Sequence, residues 1–184
     1  MTVGPRVVFT RFVSAVSPQL APWREHALRV MGHEPGSVTA SATRDAPADV
    51  AAGRSVEGAR RSQSAADSPA PAVVWHLISA NNRMLARSAQ IFNSVHDAVE
   101  DAEHVISSVS RLEISNVGDE SRGMHGWMAF ERDSTAMICA RWYLTDRDRR
   151  HAIDLALTSI GSAMIRPGAC TIERVVHPSI REPM

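Results

Sequence analysis

The sequence contains no lysine: all 20 of its basic residues are arginine, and 20 acidic residues balance them. Because the missing amine is the reactive group, this absence excludes Schiff-base catalysis, a Ser–Lys dyad and a phosphate-binding loop that ends in lysine. The balanced charge gives no general attraction to nucleic acid or to an anionic membrane, and we expect no specific nucleic-acid binding. The arginine-rich and alanine-rich composition is typical of a high-GC bacterium.

Cysteine is scarce as well. The sequence has two, Cys139 and Cys170, which lie far apart and form no CxxC motif. Two such residues cannot build a disulfide-rich scaffold, which favours a reducing compartment. No apolar run approaches the ~18 residues that span a bilayer. Arg11 interrupts the stretch that most resembles a signal peptide. We therefore expect a cytoplasmic protein with no membrane span.

Motifs that carry catalysis or metal binding are also missing. The sequence has no GxGxxG, GxSxG or HExxH motif and no cysteine pair at metal-ligand spacing. His96 and His104 are eight residues apart, about 12 Å of helical rise, which is too far for both to bind one metal ion. We expect no catalytic residue, no cofactor and no metal, and the balance favours a protein that is not an enzyme.

The first 72 residues divide into two parts. Residues 33–72 contain no aromatic residue, no leucine and no isoleucine. They cannot bury enough apolar area to offset an ordering cost of ~1–2 kcal/mol per residue, which predicts a disordered, protease-sensitive linker. Residues 1–32 carry Trp23 and other apolar side chains, and Pro22 opens a possible short helix that ends at Met31. This segment is either a docking element for a partner or the product of an upstream start codon.

A strand–hairpin–helix pattern begins at residue 73. Residues 73–78 are strand formers, Asn81 and Asn82 suit a tight turn, and residues 84–88 form a second strand. Apolar residues then recur at spacings of three and four up to residue 109, which indicates a helix. The order recurs after a shift of 52 residues that places Trp75 on Trp127.

These observations predict an α+β fold in which two tandem ββα repeats form an antiparallel sheet with two helices on one face. The predicted domain spans residues 73–166, after a disordered N-terminal region. Residues 167–184 form a C-terminal tail with a possible edge strand.

The first hairpin carries a family resemblance. Ala80, Asn81, Ser88 and Phe92 match the repeat of the YegP-like family of small uncharacterised bacterial proteins, although Asn82 replaces the usual glycine. The second repeat departs further, and the resemblance covers about half of the chain. It implies the tandem-repeat fold, and it implies no activity because the family has no established one.

One stretch of the second repeat is a candidate contact patch, which combines aromatic rings with a basic run. It consists of Arg141, Trp142, Tyr143, Arg147, Arg149 and Arg150. Our leading hypothesis is a non-catalytic module that binds an unknown protein partner, or itself, through the helix-free face or an edge of the sheet. The alternative is a small-molecule or nucleotide binder, possibly an enzyme, that uses residues 141–150 as an anion site.

Overall fold

The computed structural model describes residues 4–32 and 70–172, in which the chain forms seven strands and three α-helices. The strands are β1 Arg6–Phe12, β2 Ala72–Ile78, β3 Met84–Ser88, β4 Glu113–Asp119, β5 Met124–Glu131, β6 Ser134–Cys139 and β7 Met164–Ile172. The helices are α1 Ala21–Met31, α2 Val95–Ser107 and α3 Asp146–Ile160. The predicted linker, residues 33–72, lies outside the described residues except for its last three, and so does the tail after Ile172.

The seven strands form one sheet in the order β4-β5-β6-β3-β2-β1-β7. Neighbouring strands are antiparallel except for β1 and β7, which run parallel. The α+β class predicted from the sequence is confirmed. The expectation of a purely antiparallel sheet is wrong, and the sheet has more strands than two repeats imply.

Local sequence explains where the hairpins turn and where the helices begin. Asn82 has a left-handed backbone with φ of +63°, a conformation that asparagine tolerates better than most residues. The Ser94 hydroxyl accepts a hydrogen bond from the N–H of Asp97 at 3.0 Å and caps α2. Thr145 caps α3 in the same way by accepting from the N–H of Asp148 at 3.1 Å.

The N-terminal segment is part of the sheet. β1 pairs with β2 so that Phe9 lies opposite Trp75 and Val7 lies opposite Leu77. All four side chains are buried. On its other side β1 pairs with β7, so β1 lies inside the sheet and not at its edge. The expectation of a disordered N-terminal region is therefore wrong for residues 4–32, because β1 pairs with β2 and the apolar side of α1 is buried on β5 and β6.

α2 and α3 lie side by side on the sheet face that carries Trp75. The Trp75 indole Nε1 donates a hydrogen bond to Asp101 Oδ2 on α2 at 2.7 Å. Val109 follows α2, and a Cβ built on Gly161 at the end of α3 would meet Val109 Cγ1 at 3.6 Å. The two helices therefore adjoin near their C-terminal ends.

α1 covers part of the opposite face. Gly126 and Trp127 are neighbours in β5, so they face opposite sides of the sheet. The ring of Trp142 packs on the Gly126 side, since a Cβ built on Gly126 would lie 2.9 Å from Trp142 Cζ3. His26 of α1 meets that ring edge-on with 6.2 Å between ring centroids, and α1 packs against β5 and β6. The face that we expected to be free of helices is therefore partly covered by the chain itself.

The buried position of β1 gives a stability prediction. Replacing Phe9, which is 1% exposed, with alanine should lower the free energy of unfolding by about 3–5 kcal/mol because a buried aromatic ring is removed. Arg11→Ala, an exposed site on the same strand, should change it by less than about 0.5 kcal/mol. Urea unfolding of both variants measures the difference. A loss below about 1 kcal/mol for Phe9→Ala would show that β1 is not part of the cooperative domain.

Candidate functional site

The candidate contact patch runs from the end of β6 into the first turn of α3. Its two rings do not form an outward-facing platform, since Tyr143 is buried and Trp142 is half-buried against Gly126. The exposed guanidinium of Arg141 lies over the Tyr143 ring, with 5.5 Å from its central carbon to the ring centroid. This cation–π contact orients Arg141 and leaves its N–H groups accessible at the surface.

Carboxylates accompany the remaining arginines of this patch. Arg149 forms an ion pair with Asp146 Oδ1, and Arg150 Nε lies 3.1 Å from Asp146 Oδ2. Asp146 and Asp148 occupy the first turn of α3, where their charge interacts favourably with the helix dipole. Arg147 is exposed in the same turn. The guanidinium groups of the patch therefore lie among carboxylates and do not converge on a common position.

A second polar cluster, which the sequence did not reveal, lies on the face that α1 covers. Ala86 pairs with Leu77 and continues the Trp75 face, so its neighbour Arg87 points to the α1 side. Arg87 lies opposite His76 and donates from Nη2 to the Ala140 carbonyl oxygen at 2.6 Å. Burial lowers the pKa of the Arg87 guanidinium. We call Arg87, His76, His26 and Trp142 the inner cluster.

α1 contributes His26 to the inner cluster. Its ring Nε2 lies 2.8 Å from the Cys139 carbonyl oxygen, next to the carbonyl that accepts from Arg87. Burial lowers the pKa of His26, and the nearby Arg87 and Arg29 lower it further, although the hydrogen bond to Cys139 partly opposes this. His26 therefore docks on the sheet as a neutral imidazole near neutral pH. The Cys139 thiol is buried, and its pKa is raised to about 11, which makes it an unreactive thiol.

A third polar group holds α2 against the hairpin between β5 and β6. Glu131 lies 2.6 Å from His104 Nε2 and 2.8 Å from Arg111 Nη2. Together with Asp101 these residues line an open cleft of about 770 Å³. Burial raises the pKa of Asp101, while the hydrogen bond from the Trp75 indole opposes the rise. Within the described part of the chain, no three histidine, cysteine or acidic residues are grouped so that they could hold a metal ion.

The outer edge of β4 is the remaining feature with binding potential. β4 pairs with β5 over seven consecutive residues without a register shift. It ends the sheet, so its outward N–H and C=O groups have no strand partner among the described residues. No described helix is long and apolar enough to cross a membrane.

Comparison with known proteins gives a structural similarity and no sequence match. No family model and no curated protein matches the sequence. Among solved structures, the solution NMR structure of yegP from E. coli, a protein of unknown function, matches with a TM-score of 0.44 and 16% sequence identity. The match covers 60% of this chain and 90% of that protein. The predicted resemblance to YegP is confirmed, and it brings no activity to this chain.

The inner cluster makes stability depend on pH. Burial and the nearby Arg87 lower the pKa of His76 from 6.5 to about 4. As the pH falls from 6.5 to 4, the unfolded chain binds a proton that the folded chain excludes, so the free energy of unfolding falls by about 3 kcal/mol. His76→Gln should remove this part of the pH dependence, whereas the exposed His96→Gln should retain it. Urea unfolding at several pH values tests this, and identical slopes for wild type and His76→Gln would contradict it.

Proposed function

We propose that this chain is a non-catalytic interaction module that binds an extended segment of a protein partner along the free edge of β4. Such strand addition pairs the backbone of the partner with the unpaired groups of an edge strand. The single observation that carries the proposal is that β4 is a regular edge strand without charge in its interior. Its seven-residue pairing with β5 is regular, and its five inner residues carry no charge and no proline.

The other surfaces of the sheet support this choice of edge. At the opposite edge, β7 contains Pro167, which lacks a backbone N–H, and its register with β1 shifts between Val7 and Phe9. Irregularities of this kind discourage further strand pairing. One face of the sheet is covered by α2 and α3, and α1 packs on the other. Among the described residues, β4 therefore has the more regular of the two free strand edges of the sheet.

Charge at the ends of β4 indicates which partner it suits. If two copies of β4 pair in antiparallel orientation with all seven residues aligned, the pairing is centred on Asn116. Glu113 of one copy then lies opposite Asp119 of the other. Like charges in directly opposed positions are destabilising. A partner strand with arginine or lysine at both ends avoids this repulsion and pairs with both carboxylates. A different protein with a basic extended segment is therefore the favoured partner, ahead of self-association.

We also infer that the two hairpin–helix units are copies of one ββα repeat. The central strand pair supports this inference. Arg87 and Ile138 lie opposite each other, and the N-caps of α2 and α3, Ser94 and Thr145, show the same separation of 51 residues, one fewer than the shift of 52 that aligns Trp75 with Trp127. Ala86 pairs with Cys139, which is the counterpart of Ser88 at this separation, and Ser88 pairs with Met137, which is the counterpart of Ala86. A local two-fold relation between β3 and β6 explains all three pairs.

The alternative function, a small-molecule or nucleotide site at residues 141–150, has less support. Asp146 already pairs with Arg149 and Arg150, so a bound anion would compete with a carboxylate of the same helical turn. The location of the protein in a bacterial cytoplasm stays a prediction.

A lysine placed on β4 tests the proposal. Asn116→Lys changes an exposed residue and adds a charge that blocks strand addition, so partner binding should weaken at least about tenfold. Thr158→Lys, at an exposed position of α3, adds the same charge away from the edge and should leave binding unchanged. The measurement is capture of partners by the full chain, identified by mass spectrometry, followed by titration of the captured protein.

Two outcomes would contradict edge binding. One is equal affinity of the captured protein for wild type and Asn116→Lys. The other is that Asn116→Lys captures every protein that the wild-type chain captures, and that sedimentation of the wild-type chain shows only monomer, so that neither a partner nor a second copy pairs with β4.

A further inference from the structure

The open cleft of about 770 Å³ lies between α2 and the turn that joins β5 to β6. Its volume falls within the range of sites that bind small molecules, about 300–1,000 Å³. Asp101, His104 and Val105 line it from α2, and residues 131–136 line it from the hairpin. The side chains of His104 and Arg111 are 63% and 58% exposed. The polar groups of the cleft are therefore accessible to a ligand from solvent.

Asp101 contributes a carboxylate without a counter-charge to this cleft. The Trp75 indole donates a hydrogen bond to Oδ2 at 2.7 Å. Within residues 4–32 and 70–172 the carboxylate forms no ion pair. Its other oxygen, Oδ1, accepts no hydrogen bond from these residues and keeps accessible surface, since Asp101 is only half-buried. Burial raises the pKa of this carboxyl because its charge is desolvated without a paired cation.

The basic side chains on the same side of the cleft already have a partner. Glu131 Oε2 lies 2.6 Å from His104 Nε2, and Glu131 Oε1 accepts from Arg111 Nε at 2.9 Å. An anion would compete with Glu131 for both groups, whereas a cation would meet the accessible oxygen of Asp101. The lining residues include three acidic residues and two arginines, which also favours a cation.

We propose that this cleft binds a small organic cation with a primary amine or a guanidinium head group. An N–H of the cation donates to Asp101 Oδ1 in a charge-assisted hydrogen bond and neutralises the carboxylate. The hydroxyl oxygens of Ser134 and Thr135 are acceptors for its remaining N–H groups, and Ala136 offers an apolar surface to its alkyl part. The site uses side chains of α2 and the hairpin, so it does not depend on strand addition at β4.

The Trp75 indole, which donates to Asp101, reports on this site directly. In heteronuclear NMR spectra of the full chain, its Nε1–H signal should shift and reach saturation as butylguanidinium or butylammonium chloride is added at constant ionic strength. N-Butylurea has nearly the shape of butylguanidinium without its charge, and it should cause no saturable shift. The cation that saturates the signal at the lower concentration identifies the preferred head group.

Two matched variants test whether Asp101 holds the cation. Asp101→Asn keeps an acceptor for the Trp75 indole but removes the charge, so the affinity for the preferred cation should fall at least about tenfold. Glu103→Gln removes the same charge from an exposed residue of α2 that does not line the cleft. This control variant should bind the cation with wild-type affinity.

A third variant keeps the test decisive if Asp101→Asn does not fold. Ser134→Lys changes an exposed residue that lines the cleft, and its ammonium group should repel the ligand and weaken binding at least about tenfold. The proposal is overturned if neither cation gives a saturable shift of the Trp75 signal, or if butylurea gives the same shift. It is also overturned if Ser134→Lys, and Asp101→Asn where it folds, bind with wild-type affinity.

Discussion

The pairing of β1 with β2 is the constraint on which the rest of the described structure depends. β7 reaches the sheet only through β1, and α1 follows β1 in the chain, so both elements lose their position if this pairing is lost. The register is fixed because Val7 and Phe9 must face Leu77 and Trp75 on the buried side. A slip of one residue would turn both side chains to the other face of the sheet.

This constraint determines which surfaces of the sheet stay uncovered in the described part of the chain. Two hairpins with two helices would leave one face of their sheet open, and an open face would be the natural binding surface. The N-terminal segment instead places a strand inside the sheet and a helix on that face. Among the described residues, the edge at β4 is then the surface that best suits the extended backbone of the proposed partner.

Residue composition predicted β2, which is an unbroken run of strand formers, and the spacing of apolar residues predicted α2. The hairpin at Asn82, the start of α2 at Ser94 and the start of α3 at Thr145 follow from local turn and capping chemistry. β1 was missed although Val7, Val8 and Phe9 are strand-forming residues, because Arg6 and Arg11 made the segment resemble an interrupted signal peptide. Which strand it joins depends on contacts distant in sequence, and local pattern does not encode those.

The sites show the same division between local and long-range information. The run of aromatic and basic residues at 141–150 was visible in the sequence, but not its ion pairs with Asp146 or the burial of Tyr143. The inner cluster was missed because its members come from four separate segments that only the fold brings together. Its one local signal was a titratable residue inside a strand-forming run, His76 among residues 73–78. Arg87 lies opposite His76 in the next strand, but this proximity cannot be predicted until the register of the two strands is known.

Native-state amide hydrogen exchange followed by NMR tests the central claim most directly. If β1 is an integral strand, the amides of Val8 and Thr10, which lie opposite His76 and Val74 of β2, should exchange with the same opening free energy as the amides of His76 and Val74. Both strands should then lose protection together as urea is added. Exchange of the β1 amides at rates close to those of an unfolded chain, while β2 stays protected, would contradict the account. The N-terminal segment would then be an appendage, and the face beneath α1 would be open.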